Sequence, residues 1–454
     1  MADISTRKRI WGWWFFDWAS QPYHTLLVTF IFGPYFAALA AEHYLSQGMG
    51  AEEAKASAQS IWALCLTVTG LIIGFGAPVM GAFADTSGRR MPWMVVFSAM
   101  YVVGAGALWW TQPDGSNMLW GLFAFGLGFV GAEYALIFIN SQLPDLGTPE
   151  DIGEISGSGF AFGYAGGLLS LIILLLFFVE QGNGKTLIGL DPAFGLDASQ
   201  KEGTRFVGPV TALWYAVFMI PYFMWVREKP SGKRGTVAQA LTHLGKSIAN
   251  LPQRVSLSAY LGSSMIYRDA LNGLYGFGGI YARLVLEWEL TEIGIFGIVA
   301  LISSALFSWL GGKADKRLGP KPVIVFAIWV LIIVCITIVS MSRTQIFGFP
   351  LPEGSTLPDM VFFVCGALIG GMGGTLQAAS RSMMVRHSPP DAPTESFGLY
   401  GLSGRATAFI APSLILLITE MTGNARIGLS PVVALFVIGL IPLLWVKPEG
   451  DQTG

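Results

Sequence analysis

Ionisable and amide side chains stand inside otherwise apolar segments of this sequence, where each is costly to place. Arg268 and Asp269 are adjacent in one segment, and Asn272 and Tyr275 follow at helical spacing. Glu133 is the only acid of another segment. In the first apolar segment four polar residues recur at i, i+3, i+4 and i+7, so they would share one helix face. They are Asp17, Ser20, Gln21 and His24.

Such residues could bind a charged solute or carry a proton. A zwitterion needs one cationic and one anionic partner in a place of low dielectric constant, and this set offers both. A lone buried carboxylate is either protonated or paired, which makes Glu133 and Asp269 the candidate proton carriers. Structural alternatives stay open: Arg268 and Asp269 could neutralise each other, Glu133 could be a packing residue, and Asp17 could lie at headgroup level.

The elements that position these residues are predicted to be membrane helices. Of the 454 residues, 53% are hydrophobic and 12% charged, with a mean hydropathy of +0.57. A soluble globular chain carries about 25% charged residues, so this chain has too little polar surface for a water-soluble body. The net charge of -2 does not suggest a nucleic-acid partner. Scattered histidines and cysteines within apolar runs predict no enzyme site, metal or cofactor.

Hydropathy predicts twelve spans, all helical, because lipid leaves no other way to satisfy the backbone. We number them one to twelve: 13–41, 60–83, 91–110, 118–142, 157–179, 206–226, 257–283, 291–312, 321–341, 359–380, 396–419 and 428–446. A basic stretch separates six spans from six, which is the plan of a two-bundle transporter. We predict an all-α integral membrane fold with two pseudo-symmetric six-helix bundles, over 1–226 and 255–454, and a cytoplasmic linker over 227–254.

Basic residues are distributed unequally over the two sides of the predicted membrane. The termini, the linker and the turns on their side hold 18 Lys or Arg, whereas the opposite loops hold 6. The positive-inside rule therefore places both termini in the cytoplasm. The first span is predicted to be a retained helix rather than a signal peptide, because no small-residue cleavage site follows a short apolar core.

One acidic–glycine–basic signature occurs twice, at residues 81–90 after span two and at 311–321 after span eight. In each copy a carboxylate at a helix end can pair with a neighbouring helix end and so favour one of two conformations, while glycine permits the tight turn. The alternative is a plain positive-inside turn with a capping aspartate. The predicted gating residues are Asp85, Arg89, Arg90, Asp315, Lys316 and Lys321.

These two turns resemble the signature of the major facilitator superfamily, G-x-x-x-D-R/K-x-G-R-R. Thr86 stands where a basic residue is usual, and the second copy has one extra residue before Gly319. Three further stretches resemble the vacuole-effluxer family within that superfamily. They are D-W-A at residues 17–19, Q-x-x-S-R at Gln377–Arg381 and F-G-x-Y-x-L-S-G at Phe397–Gly404.

The resemblance implies twelve helices that work by alternating access around a cavity lined by spans one, four, seven and ten. Fungal members of the family export amino acids from the vacuole. Ala270 and Arg405 stand where the family commonly has Gly and Lys. With this resemblance the candidate substrate residues become Asp17, Gln21, His24, Glu133, Arg268, Asp269, Asn272, Tyr275, Gln377, Arg381 and Tyr400.

The leading hypothesis is a monomeric secondary transporter that moves a small polar solute, such as an amino acid, through a midplane site shared by the two halves. Its partners would be that solute, the lipid bilayer and a coupling proton or sodium ion. The resemblance is to the bacterial members of this family, which implies that the protein lies in the inner membrane. The alternatives are a multidrug or metabolite exporter of the same fold and a non-transporting membrane assembly factor.

Overall fold

The computed structural model describes residues 4–228, 236–286, 288, 290–422 and 424–451. Helices make up nearly all of the regular structure in these ranges. Part of the predicted basic linker, including Lys229, Lys233 and Arg234, lies outside the described residues, as does Gly454.

Helices of the first half follow the predicted apolar segments. Span one begins as α1 (Thr6–Pro22), continues as a π-helix (Tyr23–Phe30) and resumes as α2 (Phe32–Ser46). Pro34 falls in the first turn of α2, where its missing N–H is harmless. The next helices are α3 (Ala51–Ser87), α4 (Met91–Ala107), α5 (Met118–Asn140), α6 (Ile152–Phe177), α7 (Glu202–Arg205), α8 (Val207–Phe218) and α9 (Ile220–Trp225).

The second half begins with a helix inside the linker, α10 (Val237–Asn250). Thr236 and Gln239 form a reciprocal capping box at its N-terminus. An antiparallel hairpin, β1 (Gln345–Ile346) and β2 (Phe349–Pro350), lies in a loop of this half. The other helices are α11 (Val255–Val285), α12 (Leu290–Leu318), α13 (Pro320–Val339), α14 (Leu357–His387), α15 (Pro393–Ala406), α16 (Ile410–Thr422), α17 (Ala425–Gly428) and α18 (Ser430–Leu443).

Ten helical segments of the described chain are long and apolar enough to cross a membrane. The two predicted spans outside this group are seven and eleven. Helix α11 has the length for span seven, but Arg268 and Asp269 interrupt its apolar sequence. We predicted span eleven as one continuous segment, and the structure divides it into α15 and α16. Both exceptions therefore have a chemical cause, and the all-α prediction is confirmed.

Packing divides the chain into two compact units. Unit 1 comprises 1–77, 87–139 and 162–234, and unit 2 comprises 78–86, 140–161 and 235–454. Unit 2 thus includes the end of α3 and the junction of α5 with α6, in addition to the helices of the second half. The bundle limits at 226 and 255 stay a prediction.

In unit 1 the D-W-A segment packs against glycines of α6. Trp18 stacks on Phe162 with ring centroids 4.5 Å apart. A Cβ on Gly166 would lie 2.9 Å from the Trp18 ring. Trp214 of α8 donates a hydrogen bond from its indole nitrogen to the Trp18 carbonyl at 3.1 Å. Glycine in span five therefore permits close contact with span one.

In unit 2 helices α12 and α14 also approach each other through glycines. A Cβ on Gly370 would lie 2.2 Å from the carbonyl oxygen of Ala300, and one on Gly366 would overlap the ring of Phe296. The spacing of Gly370 and Gly374 predicts close helix approach. The contact at Gly370 confirms this prediction.

Candidate functional site

Two of the predicted residues meet inside unit 1. His24 lies on the π-helical segment of span one and Glu133 on α5, with Nε2 and Oε1 3.6 Å apart. Their side chains are 39% and 13% exposed, so the imidazole is accessible and the carboxylate is largely shielded. The ring of Phe129 packs edge-on against His24, with centroids 6.0 Å apart. An imidazole beside a carboxylate can share and pass on a proton.

Asp17 and Gln21, on the same face of span one, lie against α6 within unit 1. Asp17 is buried, and a Cβ on Gly163 would lie 3.2 Å from the Asp17 Cβ. A Cβ on Gly167 would lie 2.8 Å from Cγ of Gln21, which is half-buried. The predicted stripe is therefore divided, with Asp17 and Gln21 against α6 and His24 beside Glu133.

Arg268 and Asp269 each contact a different part of span eleven in unit 2. Arg268 donates from Nη1 to the carbonyl of Tyr400 at 3.0 Å, and its Cζ lies 4.3 Å from the centre of the Tyr400 ring. Asp269 accepts a hydrogen bond from the backbone N–H of Ala411 at 2.9 Å. Both residues and Tyr400 were predicted at a substrate site, and all three are engaged in helix–helix contacts.

The accessible polar residues of spans seven and ten lie in the same unit. Asn272, one turn beyond Asp269, is exposed. Tyr275 is 43% exposed, and its hydroxyl occupies the space that a Cβ on Gly373 would need. Gln377 follows Gly373 by one turn of α14 and is half-buried. Asn272 and Tyr275 are thus the more exposed polar side chains of this group, and Gln377 is partly shielded.

Arg381 is buried on α14 and donates hydrogen bonds to residues of α5 and α6 in unit 2. Its Nε donates to Oγ of Ser156 at 2.9 Å, and Nη2 donates to the Ser156 carbonyl at 2.8 Å. Its Nη1 donates to Oδ1 of Asn140 at 3.2 Å. The guanidinium also lies over the ring of Phe160, with Cζ 4.2 Å from its centre. Only 2% of Arg381 is exposed.

The first acidic–glycine–basic turn contacts the start of α15. Asp85 accepts a hydrogen bond from the backbone N–H of Glu395 at 2.8 Å. A Cβ on Gly81 would lie 2.5 Å from the Thr394 carbonyl oxygen, so this approach requires glycine. A carboxylate is favoured there, because the first turn of a helix presents free N–H groups and a positive dipole end. Gly88, with φ of 64°, then ends α3 in a left-handed conformation.

The second turn contacts the start of α6. A Cβ on Gly153 would overlap the Asp315 side chain, which is 1% exposed. Among the described residues, neither carboxylate oxygen of Asp315 accepts a well-formed hydrogen bond. Lys316 pairs with Asp151 at 3.1 Å and with Glu154 at 2.7 Å. The hydrogen bond from Lys316 lowers the pKa of Asp151, so this pair remains ionised at neutral pH.

The two copies of the signature are therefore related but not equal. Each places an aspartate at the first turn of another helix, but only Asp85 receives a backbone hydrogen bond there. The other predicted gating residues have different partners: Lys321 donates to the Val446 carbonyl at 2.7 Å, and the backbone N–H of Arg90 donates to Glu228 at 2.7 Å. Arg89 is exposed.

Several polar contacts were not predicted from the sequence. Glu228, the single acid of the predicted linker, accepts from the backbone of Arg90 and Met91 and so caps α4. Nδ1 of His243, on α10, lies 3.1 Å from the carboxylate of Glu395, the residue whose backbone N–H donates to Asp85. Ser156 receives two of the Arg381 hydrogen bonds. All three contacts join residues that are far apart in sequence, so their partners depend on tertiary packing and no local pattern predicts them.

Comparison with known proteins identifies relatives over nearly the whole chain. The family model described as "Vacuole effluxer Atg22 like" matches residues 5–452. The chain is similar to the uncharacterized MFS-type transporter YxiO of Bacillus subtilis, with 23% identity over 440 residues, covering 96% of this chain and 94% of that protein.

A fungal protein matches part of the chain, and a solved human structure has a similar fold. Autophagy-related protein 22-1 of Aspergillus clavatus is 24% identical over 325 residues, which cover 66% of this chain and 50% of that protein. The chain thus spans about half the length of the fungal relatives it matches. The human organic anion transporter MFSD10 superposes with a TM-score of 0.72 at 15% identity, covering 97% of this chain and all of that one. This likeness shows the twelve-helix major facilitator fold.

Proposed function

This chain belongs to the vacuole effluxer Atg22-like family, and from that premise we propose that it is a secondary transporter of a small polar solute, an amino acid or a similar zwitterion. The observation that carries the proposal is the accessible polar side chains on spans one, seven and ten of an otherwise apolar fold. In unit 1 these include His24, beside the shielded Glu133, and in unit 2 they are Asn272, Tyr275 and Gln377.

The chemistry of these groups matches a zwitterion better than a purely apolar solute. Glu133 supplies an anionic partner for an ammonium group, and the His24 imidazole can donate to a carboxylate. Asn272 and Gln377 can both donate and accept hydrogen bonds, and the Tyr275 hydroxyl can do the same. A single hydrogen bond to a charged ligand group contributes roughly 1.5–3 kcal/mol, so a few of these side chains suffice for specific binding.

We expect Asn272→Ala and Gln377→Ala each to weaken ligand binding by about tenfold to over a hundredfold, the equivalent of roughly 1.5–3 kcal/mol. The measurement is the thermal shift of purified protein titrated with pools of amino acids and other metabolites, because a true ligand raises the melting temperature. Unliganded melting should change little.

The matched control is Thr337→Ala on α13, whose hydroxyl only bonds its own helix. Normal ligand shifts in both variants would contradict this assignment. The absence of any stabilising metabolite class would favour the assembly-factor alternative.

The proposed cycle uses the two acidic–glycine–basic turns as cytoplasmic latches. The first latch is Asp85 on the first turn of α15, and the second is Asp315 and Lys316 on the first turn of α6. Both sets of contacts lie within unit 2. Opening toward the cytoplasm would require the carboxylates to leave these helix starts, so the latches would stabilise the state in which they are engaged.

Neutralising the first latch should favour its open form. Asp85→Asn keeps an acceptor oxygen but loses the charge at the helix start, worth about 1 kcal/mol, and should shift the equilibrium about fivefold. The measurement is maleimide labelling of Ser141→Cys, whose native side chain is buried against Thr394. Asp315→Asn is the matched comparison and should shift labelling less, since Asp315 accepts no well-formed hydrogen bond among the described residues. Unchanged labelling in both variants would instead support the alternative that these are plain positive-inside turns with a capping aspartate.

We expect the protein to lie in a bacterial inner membrane with both termini in the cytoplasm and the loop 180–205 in the periplasm. The reason is that basic residues divide 18 to 6 between the two sides. A fluorescent protein fused after Gly454 should therefore fluoresce, and alkaline phosphatase inserted after Gly189 should be active. The reciprocal fusions provide the control. Phosphatase activity at the C-terminal fusion would contradict the proposed orientation.

A further inference from the structure

Span eleven is interrupted at a defined place in unit 2. Helix α15 ends at Ala406, residues 407–409 form a turn, and α16 starts at Ile410. Pro412 lies in the first turn of α16, and a continuous helix would bring its ring against the carbonyl of residue 408. A break inside a membrane span exposes backbone N–H and C=O groups that lipid cannot satisfy. The turn satisfies part of this need, since the N–H of Ile410 donates to the Thr407 carbonyl at 2.8 Å, and neighbouring helices can satisfy the rest.

Two adjacent residues of α11 contact the two sides of this break. Arg268 lies along the second half of α15, where it donates to the carbonyl of Tyr400, in the middle of that helix, and covers the Tyr400 ring. It also fills the space beside Gly404, where a Cβ would lie 2.5 Å from Cζ of Arg268. Asp269 accepts from the N–H of Ala411 in the first turn of α16. Neighbouring residues of a helix point about 100° apart, which allows one dipeptide to reach both sides.

The charges match the helix ends they contact. The C-terminal end of a helix is the negative end of its dipole and favours a cation, whereas the N-terminal end favours an anion. Arg268 lies near the former in α15, and Asp269 lies at the latter in α16. Asp269 is 2% exposed, so its attraction to the helix start is little screened by water.

The opposite end of α15 is the part contacted by the first latch. Asp85 accepts from the N–H of Glu395, two residues after α15 begins. This helix of 14 residues is thus held at its start by Asp85 and near its end by Arg268. It is separated from α16 by the turn at 407–409.

We infer that Arg268 and Asp269 are positioning residues that form a clamp across the break in span eleven, so that the end of α15 stays fixed to α11 and α16 when Asp85 releases the start of that helix. The inference rests on the proposed transport function and deepens it. The clamp requires an acceptor oxygen at position 269, which an amide also supplies. At position 268 it requires a planar, multidentate donor, which lysine does not supply. A proton carrier at 269 would have the opposite requirement, because an amide cannot take up a proton.

Hydrogen–deuterium exchange on the full-length chain in detergent tests the clamp without any ligand. Asp269→Ala should speed exchange in residues 410–413 by about tenfold, and Asp269→Asn by less than about threefold. Arg268→Lys should speed exchange at the end of α15, and it keeps the test decisive if Asp269→Ala does not fold. Asp359→Asn, an acid on α14 that bonds Trp288 and Arg343, is the control and should change neither segment.

Proteoliposomes loaded with a labelled mixture of the common amino acids separate this inference from the proposed function. Asp269→Asn should retain accumulation driven by a pH gradient. If Asp269→Asn loses this accumulation but still exchanges solute across the membrane, the clamp is overturned and Asp269 is a proton carrier. The proposed transport function would stand in that case. Unchanged hydrogen–deuterium exchange rates at the break in both Asp269→Ala and Arg268→Lys would also overturn the clamp. Wild-type protein that moves none of the labelled solutes would instead contradict the proposed substrate class.

Discussion

We expect Glu133→Gln to abolish pH-gradient-driven accumulation of solute while solute exchange across the membrane continues with a weaker apparent affinity, because the amide oxygen still accepts from an ammonium group. Glu133 is a largely shielded carboxylate 3.6 Å from the accessible His24 imidazole. A carboxylate in such a place can alternate between a protonated and an ionised state as its surroundings change. Glutamine keeps the size of the side chain and its hydrogen-bonding capacity but cannot carry the proton.

The expected size follows from the energy of the gradient. One pH unit is worth about 1.36 kcal/mol, so one coupled proton per solute sustains about a tenfold concentration ratio. In Glu133→Gln this ratio should fall to about one. The measurement is steady-state accumulation of labelled amino acids in proteoliposomes with an imposed pH gradient, compared with counterflow in the absence of a gradient.

Glu53→Gln is the control, because Glu53 is exposed near the start of α3 and should leave accumulation unchanged. His24→Gln should reduce the rate of accumulation rather than its limit, if His24 passes the proton to Glu133. Accumulation that persists in Glu133→Gln would contradict the assignment. Transport that ignores the pH gradient in the wild type as well would point to sodium coupling or to uniport.

Hydropathy was sufficient to predict the helical fold, because every membrane-crossing segment must satisfy its backbone internally. The breaks within spans were not predicted, although prolines mark them. Pro34 and Pro412 each fall in the first turn of a helix that resumes after an interruption. A window of about 20 residues averages over such a break, so spans one and eleven were read as continuous.

The residue types of the site were predictable, but their partners were not. Arg268 and Asp269 are adjacent, which suggested mutual neutralisation, yet each contacts span eleven. The pairing of His24 with Glu133 requires the packing of the π-helical segment against α5, and no local pattern predicts that. Sequence spacing defines the face of a helix, whereas the neighbouring helix decides what that face contacts.

Arg381→Ala should have the largest conformational effect of any single substitution at the contacts that the proposed orientation places on the cytoplasmic side. Arg381 is buried, and it connects α14 to Ser156 and Asn140 within unit 2 through three nitrogens. A hydrogen bond from a charged donor contributes roughly 1.5–3 kcal/mol. Loss of two such bonds removes about 3 kcal/mol or more from the engaged state, which should shift the equilibrium toward the open state by over about a hundredfold.

Maleimide labelling of Ser141→Cys measures this shift, and Arg381→Ala should raise the labelling rate well above the effect of Asp85→Asn. Arg381→Lys should behave nearly like alanine, because one ammonium group cannot reproduce the geometry of three guanidinium nitrogens. Arg386→Ala on the same helix is the matched control, since that residue is only half-buried and its contacts to Pro448 and Pro149 are long, at 3.5 and 3.3 Å. A residue that holds the contacts of α5 and α6 changes access to position 141 when it is removed, whereas a substrate residue does not. Slow labelling in Arg381→Ala, together with loss of the thermal shift produced by ligand, would therefore place Arg381 in the substrate site instead.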